Sequence, residues 1–181
     1  MSSLFDPIKI GDIALANRIV MAPLTRNRAI EGNRPGPMTV EYYRQRASAG
    51  LIIAEASQIS PMAQGYLDTP GIYSPEQIAG WRQVTAAVHA AGGKICLQIL
   101  HTGRYAYHPL AVSASRLKSP ISPFAPRALT GWGVRKTIAD YARCARLAQK
   151  AGYDGVEIMG SEGYLINQFL AARTNARTDE W

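Results

Sequence analysis

The feature that most constrains this chain is a junction that occurs three times. A helix-like stretch closes on Ala-Gly and an apolar strand begins almost at once: Ala49-Gly50 before LIIAEAS, Ala91-Gly92 before KICLQIL, and Ala151-Gly152 before GVEIMG. A glycine just past a helix end supplies the left-handed residue that closes the last turn. Short apolar strands alternating with helices build βαβ units, and such units build a parallel sheet. The 181 residues fit one domain and are enough to bury a core without staples.

The remaining elements follow from local signals. Ile8-Lys9-Ile10 and Ile13-Ala14-Leu15 flank Gly11-Asp12, a two-residue hairpin turn with glycine first. This hairpin is expected to plug the bottom of a barrel. The first barrel strand is expected over Arg18 to Pro23, then a loop rich in Arg, Asn, Gly and Pro, then a helix over MTVEYYRQRASA, and a second strand from Leu51 to Ser57. Ser74, Pro75 and Gln77 form a capping box with proline at the first helical position. Behind it, Ile78, Trp81, Val84, Thr85 and Val88 make one stripe at helical spacing. A third strand is expected from Lys94 to His101, a long proline-containing loop from Thr102 to about Gly133, and a helix from about Thr137 to Ala151. A fourth strand over Val156 to Met159 and a short turn-helix, YLINQFLAA, complete the chain. A loop as long as the one after the third strand usually carries function.

The fold expected is therefore α/β: the N-terminal half of a (β/α)8 barrel, about four strand–helix units with an entry hairpin, residues 1–181 forming a single incomplete domain. The alternative is a doubly wound open sheet. No G-x-G-x-x-G follows the first strand, and long loops after strands suit a barrel, whose site lies at the strand C-termini.

Composition narrows the function classes. No run approaches the roughly 18 apolar residues of a membrane span. The start, MSSLFDPIKIGD, has acidic residues and no apolar core, so it does not read as a signal peptide. Cys96 and Cys144 form no metal-like pair, which points to reduced thiols in a cytoplasmic protein. The net charge of +7 fits a solvated basic surface or attraction of anionic ligands. Basic residues form no run with interleaved aromatics, so nucleic acid is not an expected partner.

Strand alternation then selects candidate site residues. On the third strand Ile95, Leu97 and Ile99 suit a helix-packing face, which turns Cys96, Gln98 and Leu100 into the barrel. Gln98 there serves either an internal polar network or a heterocycle presenting N–H and C=O side by side. On the fourth strand Glu157 and Met159 share one face, and the following Gly160-Ser161-Glu162-Gly163-Tyr164 brings a carboxylate and a phenol to the strand end. Tyr164 is either packing or a general acid, since a phenol of pKa about 10 stays protonated at neutral pH. Thr25 ends the first strand or donates to a cofactor oxygen. His101 reads as structural, and no third ligand makes a metal site.

These segments resemble a known family. SLFDPIKIGDIALANRIVMAPLTRNRA is similar to the opening of the Old Yellow Enzyme family of FMN-dependent alkene reductases. EYYRQRASAGLIIAEASQISPMAQGY and GIYSPEQIAGWRQVTAAVHAAGGKI resemble its bacterial maleimide and nitroester reductases. LQILHTGRY, ARCARLAQKAGYDGVEIMGSEGYLINQFL and RTNARTDEW look more like bacterial 2,4-dienoyl-CoA reductase, a relative in the superfamily. The change of resemblance near Gly93 fits an intermediate subfamily, or a chimeric or engineered gene. The resemblance implies that Pro23, Leu24 and Thr25 flank the flavin, that Ala56 approaches the same ring edge, that Gln98 pairs with its pyrimidine end, and that Tyr164 protonates the substrate. It implies FMN as cofactor, NADPH or NADH as reductant, and a small unsaturated substrate: an enone, a maleimide or an acyl-CoA. Met159 and Glu162 stand where alkene reductases carry His or Asn pairs, and Leu100 where they often carry Trp. These departures shift the expected substrate toward unsaturated thioesters. Such proteins continue with four more strands, which hold the phosphate-binding loops and a positive residue near the flavin N1. A second copy of this chain, closing the barrel as a homodimer, is the corresponding partner expectation.

Overall fold

The computed structural model describes residues 3–181. Met1 and Ser2, where the reading of the chain start as no signal peptide begins, lie outside the described residues. The entry hairpin forms as expected: β1 (Ile8–Ile10) pairs antiparallel with β2 (Ile13–Leu15), with Ile10 opposite Ile13 and Gly11 at a φ of +57° in the turn. Four parallel strands follow, β3 (Val20–Met21), β4 (Leu51–Gln58), β5 (Ile95–Leu100) and, last in the sheet, Gly155–Ile158. Between them come helices α1 (Pro37–Arg44), α2 (Pro75–Ala90) and α3 (Gly131–Lys150).

The segment between β5 and α3 carries a small parallel ladder of β6 (Val112–Ser113) with β7 (Arg127–Ala128), so the fourth sheet strand is β8. A two-turn helix, α4 (Leu165–Leu170), follows it. The sheet order is β3-β4-β5-β8, each strand beside its predecessor. Tyr43 of α1, Trp81, Val84 and Val88 of α2, and Cys144 and Ala148 of α3 all join one cluster with Ile52, Ala54, Ile95, Leu97 and Ile99. Helices on one face and no reversal of strand order distinguish a barrel wall from a doubly wound sheet. The opposite face is plugged at its lower end by the hairpin, where Leu15 meets Leu51, Ile53 and Cys96. No helix of the described residues is long and apolar enough to cross a membrane.

Local chemistry accounts for the elements. The capping box is present: Ser74 accepts from Gln77 N, and Gln77 Oε1 accepts from Ser74 N at 3.2 Å. Trp81 is fully buried, and its Nε1 donates to Gly71 O at 2.9 Å. Gly92 and Gly152 take the expected left-handed conformation, at φ +81° and +90°.

Some boundaries differ from expectation. Gly50 is not left-handed; it is required because a Cβ would lie 2.1 Å from Asn17 O, where the hairpin exit is clamped onto the α1–β4 junction. The helix expected over residues 38–49 gives way to tight turns after Arg44. The first barrel strand is Val20–Met21 rather than Arg18 to Pro23, because it lies at the sheet edge with one neighbour and Pro23 has no N–H to offer. The α3 helix starts at Gly131, six residues before the expected Thr137. Thr130 caps it by accepting from Gly133 N at 3.1 Å, and two early glycines had the look of loop.

Candidate functional site

The C-terminal ends of the strands carry a polar, partly open rim. One irregularity shapes it. Ala54 pairs with Leu97 and Ser57 with Ile99, so β4 carries one more residue than β5 across this step. Such a bulge breaks the alternation of faces. Ile53 points into the hairpin cluster and Ala54 into the helix-facing core, and Ala56 then joins Leu100, Met159 and Tyr164 on the inner side. Four of the residues expected at a site from the sequence are thereby brought into one cluster.

Gln98 lies one step deeper on β5, opposite Glu157 of β8. It is 5% exposed, and its Nε2 donates to Glu157 Oε1 at 2.6 Å. Among the described residues this is the sole hydrogen bond of its side chain, which leaves one N–H and the carbonyl oxygen available. An amide with that much unused capacity suits a planar ring edge carrying both donors and acceptors.

Tyr164 sits at the N-terminus of α4, its hydroxyl 3.1 Å from that of Tyr66, and its ring edge-on to Tyr105 at 5.8 Å. Burial, then the Tyr66 hydrogen bond, then the charge of Glu162 push its phenol above the usual range. The group is therefore protonated throughout the neutral range. Its loop is held by Gln168, a fully buried amide that makes four hydrogen bonds. Nε2 donates to Gly163 O at 2.7 Å and Thr102 O at 3.2 Å; Oε1 accepts from Arg104 N at 3.1 Å and Ser113 Oγ at 2.9 Å. One side chain thus joins the loops after β5 and β8.

His101 is neutral: burial pulls its pKa down to about 3, and Nδ1 accepts from Gly103 N at 3.0 Å, which puts the ring proton on Nε2. That agrees with a structural role. Pro23, Leu24 and Thr25 lie beyond the end of β3, with Leu24 61% exposed and Thr25 exposed, apart from the Ala56–Tyr164 cluster. Glu162 is exposed, with a left-handed φ of +60°, and also stands outside it. Tyr66, Tyr105, Glu157's pairing with Gln98, and Gln168 were not singled out from sequence. Their only signal is the presence of tyrosines and amides near strand ends, which does not say which of them meet.

A consecutive parallel sheet, helices on one side and a hairpin plug define the first half of a (β/α)8 barrel, and the polar rim lies at the strand ends where such folds carry their sites. The profile of the NADH:flavin oxidoreductase / NADH oxidase family matches residues 3–181, and the chain belongs to that family. Among its relatives, 12-oxophytodienoate reductase 1 of Oryza sativa subsp. japonica is 43% identical over 98% of this chain and 50% of its own length. Morphinone reductase in complex with tetrahydroNAD superposes with a TM-score of 0.96 at 42% identity, over 99% of this chain and 55% of its own. The Old Yellow Enzyme homologue of Zymomonas mobilis does so with a TM-score of 0.95 at 43% identity, over 99% of this chain and 54% of its own. The chain spans about half the length of the curated relatives it matches. The family is named for flavin and NADH chemistry, and morphinone reductase carries tetrahydroNAD in its structure.

Proposed function

We propose that this chain forms one side of the active site of an FMN-dependent reductase of activated C=C bonds, with Tyr164 as proton donor. The observation that carries the reading is the inner cluster of Ala56, Leu100, Met159 and Tyr164 above a buried Gln98 with unused hydrogen-bonding capacity. Gln98 would hold the pyrimidine end of the isoalloxazine, and Ala56, with Pro23, Leu24 and Thr25, its other edge. When bound, FMN supplies hydride at N5, drawn from NADPH or NADH. Leu100, Met159 and Glu162 would border the substrate, an enone, maleimide or unsaturated acyl-CoA.

Tyr164 delivers its proton to the substrate carbon left electron-rich by hydride arrival. The phenolate so formed lies 3.1 Å from Tyr66 O; Tyr66 passes a proton to it and, being only partly buried, is itself reprotonated from water. A phenol held above its usual pKa favours recovery of the neutral form, so the donor is refilled between turnovers. Stopped-flow measurement of the two half-reactions tests this assignment. Tyr164→Phe should leave flavin reduction by NADPH near wild type and slow oxidation by an unsaturated substrate by about 10²–10⁴-fold. Equal slowing of both halves would remove Tyr164 from the proton step.

A second reading rests on the other side of the sheet edge. β8 ends the sheet, Ile158 is 57% exposed, and an apolar groove of about 300 Å³ lined by Ile138, Tyr141, Ile158, Leu165, Phe169 and Trp181 runs beside it. Open edges and apolar faces invite a further chain segment. On this reading the flavin site is completed by a second half, supplied by more polypeptide or by another copy whose β3 joins β8 through a two-fold. Light scattering during gel filtration distinguishes them: a dimer mass supports self-completion, a monomer mass that binds no flavin supports the need for a different half.

A further inference from the structure

The β4 bulge has a second product. By turning Ala56 inward it leaves Glu55, its neighbour, on the helix side of the sheet beneath α1, where the residue is 2% exposed. No ion pair neutralises this carboxylate among the described residues. The nearby guanidinium of Arg26 lies over the Tyr42 ring instead, 3.4 Å from its centroid, as does that of Arg46 at 3.8 Å. Glu55 Oε2 accepts from the backbone N–H of Arg26 at 3.2 Å, and the Glu55 backbone N–H donates to Tyr43 Oη at 2.7 Å. A buried, unpaired carboxylate is a poor way to stabilise a fold. Its place in the chain is more informative.

The ladder between β3 and β4 ends at Met21–Ile52. Residues 22–25 run on without strand pairing, and the Arg26–Glu55 hydrogen bond fastens the end of that run back to β4. Thr25 immediately precedes the donor, and Ala56 immediately follows the acceptor. We infer that Glu55 is a positioning residue: its carboxylate latches the Thr25 segment to the Ala56 bulge and so sets the spacing of the two backbones that grip one edge of the flavin. The flavin part of this inference rests on the site proposed above; the latch itself does not.

The latch is sensitive to pH. Burial pushes the Glu55 carboxyl up to about 7, against the opposing pull of the Arg26 N–H and charge and of Tyr43. The groups facing it are Arg26 and Arg28 from the segment after β3, Tyr42 and Tyr43 from α1, and Tyr153, whose phenol its charge also perturbs. Beside the carboxylate is a 20 Å³ cavity lined by Arg26, Arg28, Met38, Thr39 and Tyr42, room for about one water and a path for the proton. Ionised, the carboxylate makes a charge-assisted bond to Arg26 N–H; protonated, it accepts more weakly. Fold stability moves the other way. A raised carboxyl pKa means that the stability from this group is present below its unfolded value and is lost as pH rises through about 7. Rising pH therefore tightens the latch while weakening the fold, a pairing that ordinary loosening does not produce.

The experiment is amide exchange by NMR on the full chain without added cofactor, at about pH 5.5 and about pH 8.5, corrected for intrinsic rates, for wild type and Glu55→Gln. Wild-type Arg26 N–H should be about tenfold more protected at the higher pH, and the variant should show no such change. FMN affinity, read by quenching of its fluorescence, should rise with pH in wild type in step with that protection and stay flat in the variant. Protection that does not vary with pH in wild type, or varies equally in Glu55→Gln, overturns the latch. A latch that titrates while measurable FMN affinity stays constant overturns its positioning role. Absence of FMN binding in every sample counts against the proposed flavin site, and the exchange data then decide the latch alone. Should Glu55→Gln not fold, the wild-type titration of Arg26 remains decisive.

Discussion

The two faces of the sheet differ in how completely they are finished. On the helix side, Trp81, Tyr43, Ile52, Leu97 and Ile99 are wholly buried and Trp81 Nε1 finds a partner, while the buried Tyr153 hydroxyl of the same cluster has none among the described residues. On the inner side only the lower end is closed, by the hairpin; above it Gln98 keeps one N–H and its carbonyl oxygen free and two phenols face each other across the rim. The helix side gains its stability from area removed from water, roughly 25 cal/mol per Å² of apolar surface. The inner rim leaves hydrogen-bonding capacity unused. On the function proposed above, stability and chemistry reside on opposite faces of the same four strands.

That division can be broken or sharpened by mutation. The largest effect on folding is expected from Trp81→Ala, which leaves a large cavity and an unpaired Gly71 carbonyl; denaturant unfolding should show a loss of about 3–5 kcal/mol. A loss below about 1 kcal/mol would mean that the helix side is not the stabilising face. Gln168→Leu comes next. It leaves Gly163 O, Arg104 N and Ser113 Oγ without a partner, takes one of two donors from Thr102 O, and should cost at least about 2 kcal/mol. It should also raise amide exchange in the loop around Tyr164, which marks it as the bridge between the faces.

Asp154→Asn should act less, and mainly in acid. Burial raises the Asp154 carboxyl, but the Ile95 N–H, His89 and Lys94 outweigh it and hold it below its usual range. The stability it gives is complete above its unfolded pKa and is lost as pH falls through the lower folded value. Wild-type melting temperature should therefore fall on acidification more steeply than that of the variant; parallel profiles would remove Asp154 from the acid response. The smallest effect on the fold is expected from Tyr164→Phe, within about 1 kcal/mol, because its hydroxyl meets only Tyr66 at a half-buried site. A large loss of stability there would make Tyr164 a structural residue.

The sequence made the helix side legible because its signals are local. Period-two alternation separated Ile95, Leu97 and Ile99 from Gln98 and Leu100, and Ser74 with Gln77 announced the start of α2. The hairpin and the parallel walk of strands were equally plain from Gly11-Asp12 and the Ala-Gly junctions. What stayed hidden depends on tertiary contact. Strict alternation gives no sign of the bulge that turns Ala56 inward, since its cause is register against β5. The Tyr66–Tyr164 pair joins residues 98 positions apart, and Gln168 reads as an ordinary helix residue until the loops it ties are in place. The first turn of α3 was obscured by Gly131 and Gly133, which are poor helix formers overridden by the Thr130 cap and packing.

The most direct test of the central claim, that the inner rim is one side of a flavin site, is the visible absorption spectrum of the purified chain after incubation with excess FMN and removal of unbound cofactor. A retained flavin band, shifted from that of free FMN and diminished in Gln98→Leu, is the expected result. A wild-type chain that retains no more flavin than Gln98→Leu would contradict it.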